Sequence, residues 1–439
     1  MLEDFFSLSR RLSIRKFQHA YRALKHPNYR LFFFGQGISL IGTWMQRIAV
    51  IWLVYRLTGS AFLLGFVGFS TQIPNFLLAP FGGVIADRHD RYRILLVTQV
   101  LSLVQASVLA ALVLTHTIRV WEIFVLALVL GLINALDNPV RQSFVVEMVE
   151  GKESLGNAIA LNSTMVNLAR LVGPSLAGIF IASWGEGVCF LLNALSFIAV
   201  IGSLLAMKIT SKPTKESHPR IFSQLKEGFS YAFGFSPIRN ILLLLALVSL
   251  MGMPYQVLMP IFAKQVFGGD SRTLGFLMTM VGVGAFGGGL YLANRKNVSG
   301  LVDILPWAAG TFGMGLILFS LSRNMGLSMA ILVFSGFSMM INMAASNSIL
   351  QNLVEEDKRG RLMSLHTVSF LGMVPFGNLL AGILAQNWGA AHTLFFGGTC
   401  CVAGALAFMR QLPEIREEIF PVYEKNEIRN ELLKEAVSP

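Results

Sequence analysis

The chain has 439 residues, 54% of them hydrophobic and only 13% charged, with a mean hydropathy of +0.62. That is too apolar for a soluble protein of this length and points to a polytopic membrane protein of all-α class. The net charge of +11 comes from basic residues that fall between apolar runs, so membrane topology accounts for them and a nucleic-acid partner does not.

Residues 1–28 carry Arg10, Arg11, Arg15, Lys16, Arg22 and Lys25, with Phe17, Tyr21 and Leu24 at helical spacing. This reads as a basic amphipathic segment lying on an anionic membrane surface. Glu3, Asp4 and the lack of an apolar core before Arg10 argue against a cleaved signal peptide. Apolar runs near the ~20 residues that span hydrocarbon follow at roughly 30–57, 62–86, 94–115, 118–141, 156–184 and 187–207. Six more lie at roughly 240–262, 273–293, 301–322, 325–349, 362–387 and 391–409. The expected organisation is a six-helix bundle over 29–207, a cytoplasmic linker over 208–239, a second bundle over 240–410 and a charged tail over 411–439. Phe222, Leu225 and Phe229 share a helical face, which predicts a surface helix in the linker. Pro413 and Pro421 place the tail in solvent.

With the N-terminus inside, 27 of the 35 Lys and Arg fall on the termini and the turns of that same side. The positive-inside rule therefore puts both termini in the cytoplasm. An internal repeat supports two matching halves. Leu40, Gly42 and Gln46 recur as Leu250, Gly252 and Gln256, and Gly131, Ser143, Val149 and Glu150 recur as Gly336, Ser348, Val354 and Glu355. Gly173 matches Gly377, and AGIFIASWG from Ala177 matches AGILAQNWG from Ala381. Duplicated halves are typical of transporters with a site between them.

Four stretches carry charge or backbone irregularity into or beside the spans. The turn GGVIADRHDRYR, 82–93, joins small residues that permit close helix approach to Asp87, Arg88, Arg91 and Arg93. The fourth run ends in ALDNPVRQS, where Asp137 and Arg141 share a face around Pro139. Asp137 is either a protonation site or a member of an ion-pair network with Arg91. The fifth run carries Arg170, Gly173, Pro174 and Gly178, a kink beside a tight packing point. Arg47 and Arg170 lie about 16 and about 15 residues into their runs, at similar depth. Each costs about 2.5–3.5 kcal/mol at a helix centre, so they face a watery cavity and hold an anion, or they satisfy carbonyls as structure. The second half has Val257 and Val374 at the matching positions.

The pattern Gly83-x-x-x-Asp87-Arg88-x-x-Arg91 resembles the loop between helices 2 and 3 of the major facilitator superfamily. Gly173-Pro174-x-x-x-Gly178 resembles the Gly-Pro motif in helix 5 of its exporters, less one glycine. HPNYRLFFFGQGISLIGTWMQRIAVIWLVYRLTGSA, DNPVRQSFVVEMV and LARLVGPSLAG are similar to the branch that includes bacterial enterobactin exporters and macrolide-efflux proteins. The resemblance implies proton-driven export of a small organic molecule by alternating access, from a monomer in the bacterial inner membrane. It assigns Gly83, Asp87, Arg88, Arg91, Asp137, Arg141, Gly173, Pro174 and Gly178 to gating. The cavity residues expected from the sequence are Gln46, Arg47, Arg170, Tyr255 and Gln256, suited to an anionic or phenolic, siderophore-like molecule, or a drug. Uptake, lysophospholipid transport, or a non-transporting sensor on the same fold are the alternatives. The seven histidines are scattered, and no metal, phosphate-loop or nucleophile motif occurs. No enzyme activity and no cofactor are expected, and Cys189, Cys400 and Cys401 read as packing residues.

Overall fold

The computed structural model describes residues 22–149, 151–208, 231–295, 300–354 and 356–437, with side chains placed at all but 79–84, 86–88, 152–153, 356–357 and 422–437. The amphipathic segment before Arg22 and the predicted linker helix lie outside the described residues. Among the described residues there are twelve helices of span length: α1 Pro27–Thr58, α2 Ala61–Arg88, α3 Arg91–Leu114, α4 Val120–Glu147, α5 Lys152–Trp184 and α6 Glu186–Leu205. Then come α7 Ser236–Val266, α8 Ser271–Ala293, α9 Leu301–Leu321, α10 Met325–Leu353, α11 Lys358–Trp388 and α12 Ala390–Val437. Each contains a stretch long and apolar enough to cross a membrane, and no strand occurs among the described residues.

Short polar turns separate the helices and cap them. The Asp90 carboxylate accepts from the Tyr92 amide at 3.0 Å, Asp270 from Arg272 at 2.9 Å and Asn324 from Leu327 at 3.0 Å. The repeat also shows in the backbone: Gly185 ends α5 at φ +84° and Gly389 ends α11 at φ +83°, where a side chain would be strained.

The tail departs from its expected solvated form. α12 runs on through Pro413 and Pro421, and Leu412, Ile415 and Ile419 are buried. Their i, i+3, i+7 spacing gives the extension an apolar face, and Arg416 Nε lies 2.7 Å from Asp303 Oδ1 at the start of α9.

The chain divides into two compact units: 1–49 with 77–218, and 50–76 with 219–439. In the first, α1, α3, α4, α5 and α6 close around Tyr29, Phe32, Leu95, Phe144, Ala158 and Leu204. Tyr29 donates from its hydroxyl to the Ala158 carbonyl at 2.8 Å, which lets a phenol sit in that core.

The second unit is assembled from close helix crossings. Gly284 and Gly336 bring α8 onto α10, and Gly313 and Gly398 bring α9 onto α12, in each case with room for hydrogen alone. The 50–76 segment belongs here too. Gly65 of α2 meets Gly382 of α11, the Ser60 hydroxyl donates to Gln386 at 3.1 Å, and Phe76 stacks edge-on against Phe376 at 5.5 Å.

α7 and α11 are not continuous α-helices. Wider π turns interrupt them at Val248–Gly252, Phe262–Val266 and Val368–Gly372. Pro254 has no N–H for the Leu250 carbonyl, and the Met253 amide reaches Val248 instead.

Candidate functional site

Arg47 and Arg170 come together in the first unit. Trp44, one turn before Arg47 on the same face of α1, presents its ring to both guanidinium groups, 4.6 Å from Arg47 and 5.4 Å from Arg170. Gly173 sets this geometry, because a side chain there would collide with Trp44 Cβ and come 3.2 Å from the Ile41 carbonyl. Pro174 follows at once, inside α5, and removes the donor that the carbonyl of Arg170 four residues back would use. Gly178, one turn further on, is buried.

Bringing two cations together at this depth is costly. Two arginines in mid-helix cost about 5–7 kcal/mol on insertion scales, and two cation–π contacts return about 1–4 kcal/mol. The two guanidinium groups also repel one another across the ring. Arg47 is exposed and Arg170 half-buried. An anion bridging the pair would relieve the repulsion by charge-assisted hydrogen bonds.

Gln46 does not belong to this face, contrary to the sequence expectation. It is 2% exposed, donates to Gln105 at 3.1 Å and accepts from Asn193 at 2.8 Å. Successive residues of a helix point about 100° apart, so Arg47 can be open while Gln46 ties α1 to α3 and α6. Gln105 passes the chain on to the Leu126 carbonyl at 3.2 Å. The signal was present in α3, where Thr98, Ser102 and Gln105 recur at helical spacing and are all buried.

Asp137 also differs from its expected pairing. It is 4% exposed, accepts from Thr98 and Gln99 at 2.8 Å each, and lies 3.3 Å from Arg141. Arg141 donates as well to Asn138 at 2.7 Å. Arg91 instead meets Glu147 at 2.6 Å. The reason is depth: Asp137 lies ten residues before Glu147, about 15 Å further into the bundle. The side chains of Asp87 and Arg88, and the surroundings of Gly83, lie outside the described residues.

In the second unit Tyr255 is 2% exposed and packs edge-on against Phe312 at 6.1 Å, so it is a core ring and not a stacking surface. Gln256, half-buried, reaches the Tyr255 hydroxyl at 3.5 Å. No group of side chains among the described residues could hold a metal ion.

The model of a family described as transmembrane secretion effector, MFS_3, matches residues 18–439. The staphyloferrin A transporter of Staphylococcus aureus is 28% identical over 89% of this chain and 98% of its own length. Macrolide efflux protein A of Streptococcus pyogenes is 22% identical over 87% of this chain and 96% of its length. The enterobactin exporter EntS of Shigella boydii is 24% identical over 88% and 92%. Among solved structures, a POT family transporter in complex with 5-aminolevulinic acid superposes with a TM-score of 0.70 at 13% identity, covering 88% of this chain and 96% of that one. The chain therefore belongs to the transmembrane secretion effector family of major facilitator transporters; it is a multi-pass membrane transporter and not an enzyme.

Proposed function

We propose that this member of the family exports a small organic anion, a siderophore-like carboxylate or phenolate, from the cytoplasm by alternating access coupled to protons. It would act as a monomer in the inner membrane with both termini inside, as the distribution of basic residues indicates. The observation that carries the substrate class is the Trp44, Arg47 and Arg170 cluster, two mid-span cations that share one ring and repel one another. Siderophore transport by two relatives agrees with that chemistry.

Binding of citrate and 2,3-dihydroxybenzoate, each beside its neutral methyl ester, tests the reading on purified protein in nanodiscs. Arg47→Gln and Arg170→Gln should each weaken the anions by roughly tenfold or more, equal to about 1.4 kcal/mol, and leave the esters unchanged. Lysine should rescue poorly if the contact is bidentate. Tight binding of tetraphenylphosphonium, unaltered in both variants, with no anion bound, would transfer the protein to general drug export.

A further inference from the structure

Proton coupling needs an ionisable group that can change state inside the fold. Among the described residues, three carboxylate or imidazole side chains are buried: Asp137, Glu186 and His366. Asp137 has both oxygens engaged, by two neutral donors and by Arg141. Protonating it would remove an ion pair and leave Arg141 short of its counter-charge. Glu186 is the first residue of α6, at the far end of that helix from the basic turns. His366 is different. It is 7% exposed, and its Nε2 has no hydrogen-bond partner. Leaving such an atom unsatisfied costs about 1–3 kcal/mol, which a phenylalanine or leucine in the same volume would not incur.

Two further orphaned polar atoms lie on helices packed around it. Asn342 of α10 is 1% exposed with Nδ2 unpartnered, and Ser249 in the π turn of α7 is fully buried with Oγ unpartnered. α10 packs against the 356–367 stretch of α11, and α7 packs against α10 and against the π turn that begins two residues after His366. Counted from the basic ends of their helices at 1.5 Å per residue, His366, Asn342 and Ser249 lie at about 12, 17 and 20 Å. By that count they fall within one band of depth, about 8 Å thick, on helices packed against one another, and unsatisfied polar groups of this kind suit a water or a hydrated proton.

The charges around this band are sparse. α10 has no Asp, Glu, Lys, Arg or His between Met325 and Leu353, and the π turn Val368–Gly372 has none. α7 contributes Arg239 near its start and Lys264 near its far end; α11 itself carries Lys358, Arg359 and Arg361 at least one turn nearer the basic end. No carboxylate with a described side chain faces His366 from these elements. An imidazolium in this packing would be a buried cation without a counter-ion.

We infer that His366 is the proton-carrying group, binding a proton on Nε2 when the packing of α7, α10 and α11 loosens and releasing it as they close, with Ser249 and Asn342 solvating the transfer. The proton comes from water and returns to water, and no other bond changes. Coupling follows from incompatibility: the charged ring cannot be accommodated in the closed packing, so the cycle cannot return here until the proton has left. The proposal rests on the proton-coupled reading given above.

The test uses the full chain in proteoliposomes with radiolabelled citrate and 2,3-dihydroxybenzoate as probes, in two modes: flux driven by a pH gradient, and counterflow at equal pH. His366→Gln and His366→Asn should lower gradient-driven flux by roughly tenfold or more and leave counterflow close to the parent. Retained gradient-driven flux overturns the proposal, and so does loss of both modes in a folded variant, which would make the role structural. If the parent itself shows no gradient-driven flux, proton coupling falls as a reading. His366 is then judged by ¹⁵N imidazole resonances of the parent in nanodiscs across pH. A ring that exchanges between neutral and protonated forms sustains the proton site; one locked in a single form removes it. The same spectra decide the matter if neither variant folds.

Discussion

Where α1 meets α5, Gly173 lets the helices close on Trp44 and the Ile41 carbonyl; where α7 meets α11, Gly377 lets them close on Pro254 and the Leu250 carbonyl. These are the same junction twice. The register that aligns Gly42 with Gly252 sets Trp44 opposite Pro254 and Arg47 opposite Val257, while the alignment of Gly173 with Gly377 sets Arg170 opposite Val374. The contents are opposed. The first junction presents a ring and two cations, with Arg47 open. The second has no charge at the matching positions, and Gly68 of α2 lies against the Asn378 amide and against Val257, which is 7% exposed. Packing has been kept through duplication while chemistry has been divided: the first unit holds the paired mid-span cations, and the second holds the three π turns and His366.

The strongest way to break this comparison is to move the charge. Val257→Arg with Val374→Arg should cost about 5–7 kcal/mol, two uncompensated mid-helix cations, and should abolish monodisperse protein. If the double variant is as stable as the parent, the second junction is wet and the contrast fails. Gly377→Val comes next. Its side chain would strike the Leu250 carbonyl, a backbone atom fixed by the turn at Pro254, and the expected loss is about 3 kcal/mol, read as a lower thermal midpoint in detergent. A parent-like midpoint would mean that the π turn yields easily.

Asp137→Asn sharpens the contrast between the units at the position that the Gly131–Gly336 register pairs with Asn342. The amide oxygen can still accept from Thr98 and Gln99, so only the ion pair to Arg141 is lost. The expected cost is about 1–2 kcal/mol of stability, with gradient-driven flux intact, and abolished flux in a stable variant would return the proton to Asp137. Trp44→Leu removes the shared ring but keeps both charges. Anion binding should weaken by about threefold to tenfold, in line with roughly 1 kcal/mol of lost cation–π support. Arg93→Ala should do least. Its side chain is 84% exposed and 3.6 Å from Asp90, an exposed pair worth about 0.5 kcal/mol or less, and transport should not change.

Much of this protein could be read without coordinates, because the bilayer allows few solutions. Hydrocarbon demands about 20 apolar residues per span and bars unpaired backbone groups, so twelve runs could only become twelve helices. The duplicated glycines, Gly185 with Gly389 and Gly173 with Gly377, and the lopsided pair of mid-span arginines were likewise plain in the chain. Tertiary structure alone decided which neighbours share a face and which atoms find partners. Sequence distance does not encode the angle at which two helices meet. Gln46 and Arg47 are adjacent, yet one is sealed between α3 and α6 while the other stands open beside Trp44. Asp137 and Arg91 looked like partners by motif, but about 15 Å of helix rise separates Asp137 from Glu147, the acid that Arg91 reaches. His366 drew no notice as one scattered histidine among seven, since hydropathy cannot show an unsatisfied nitrogen; only the packing around it does.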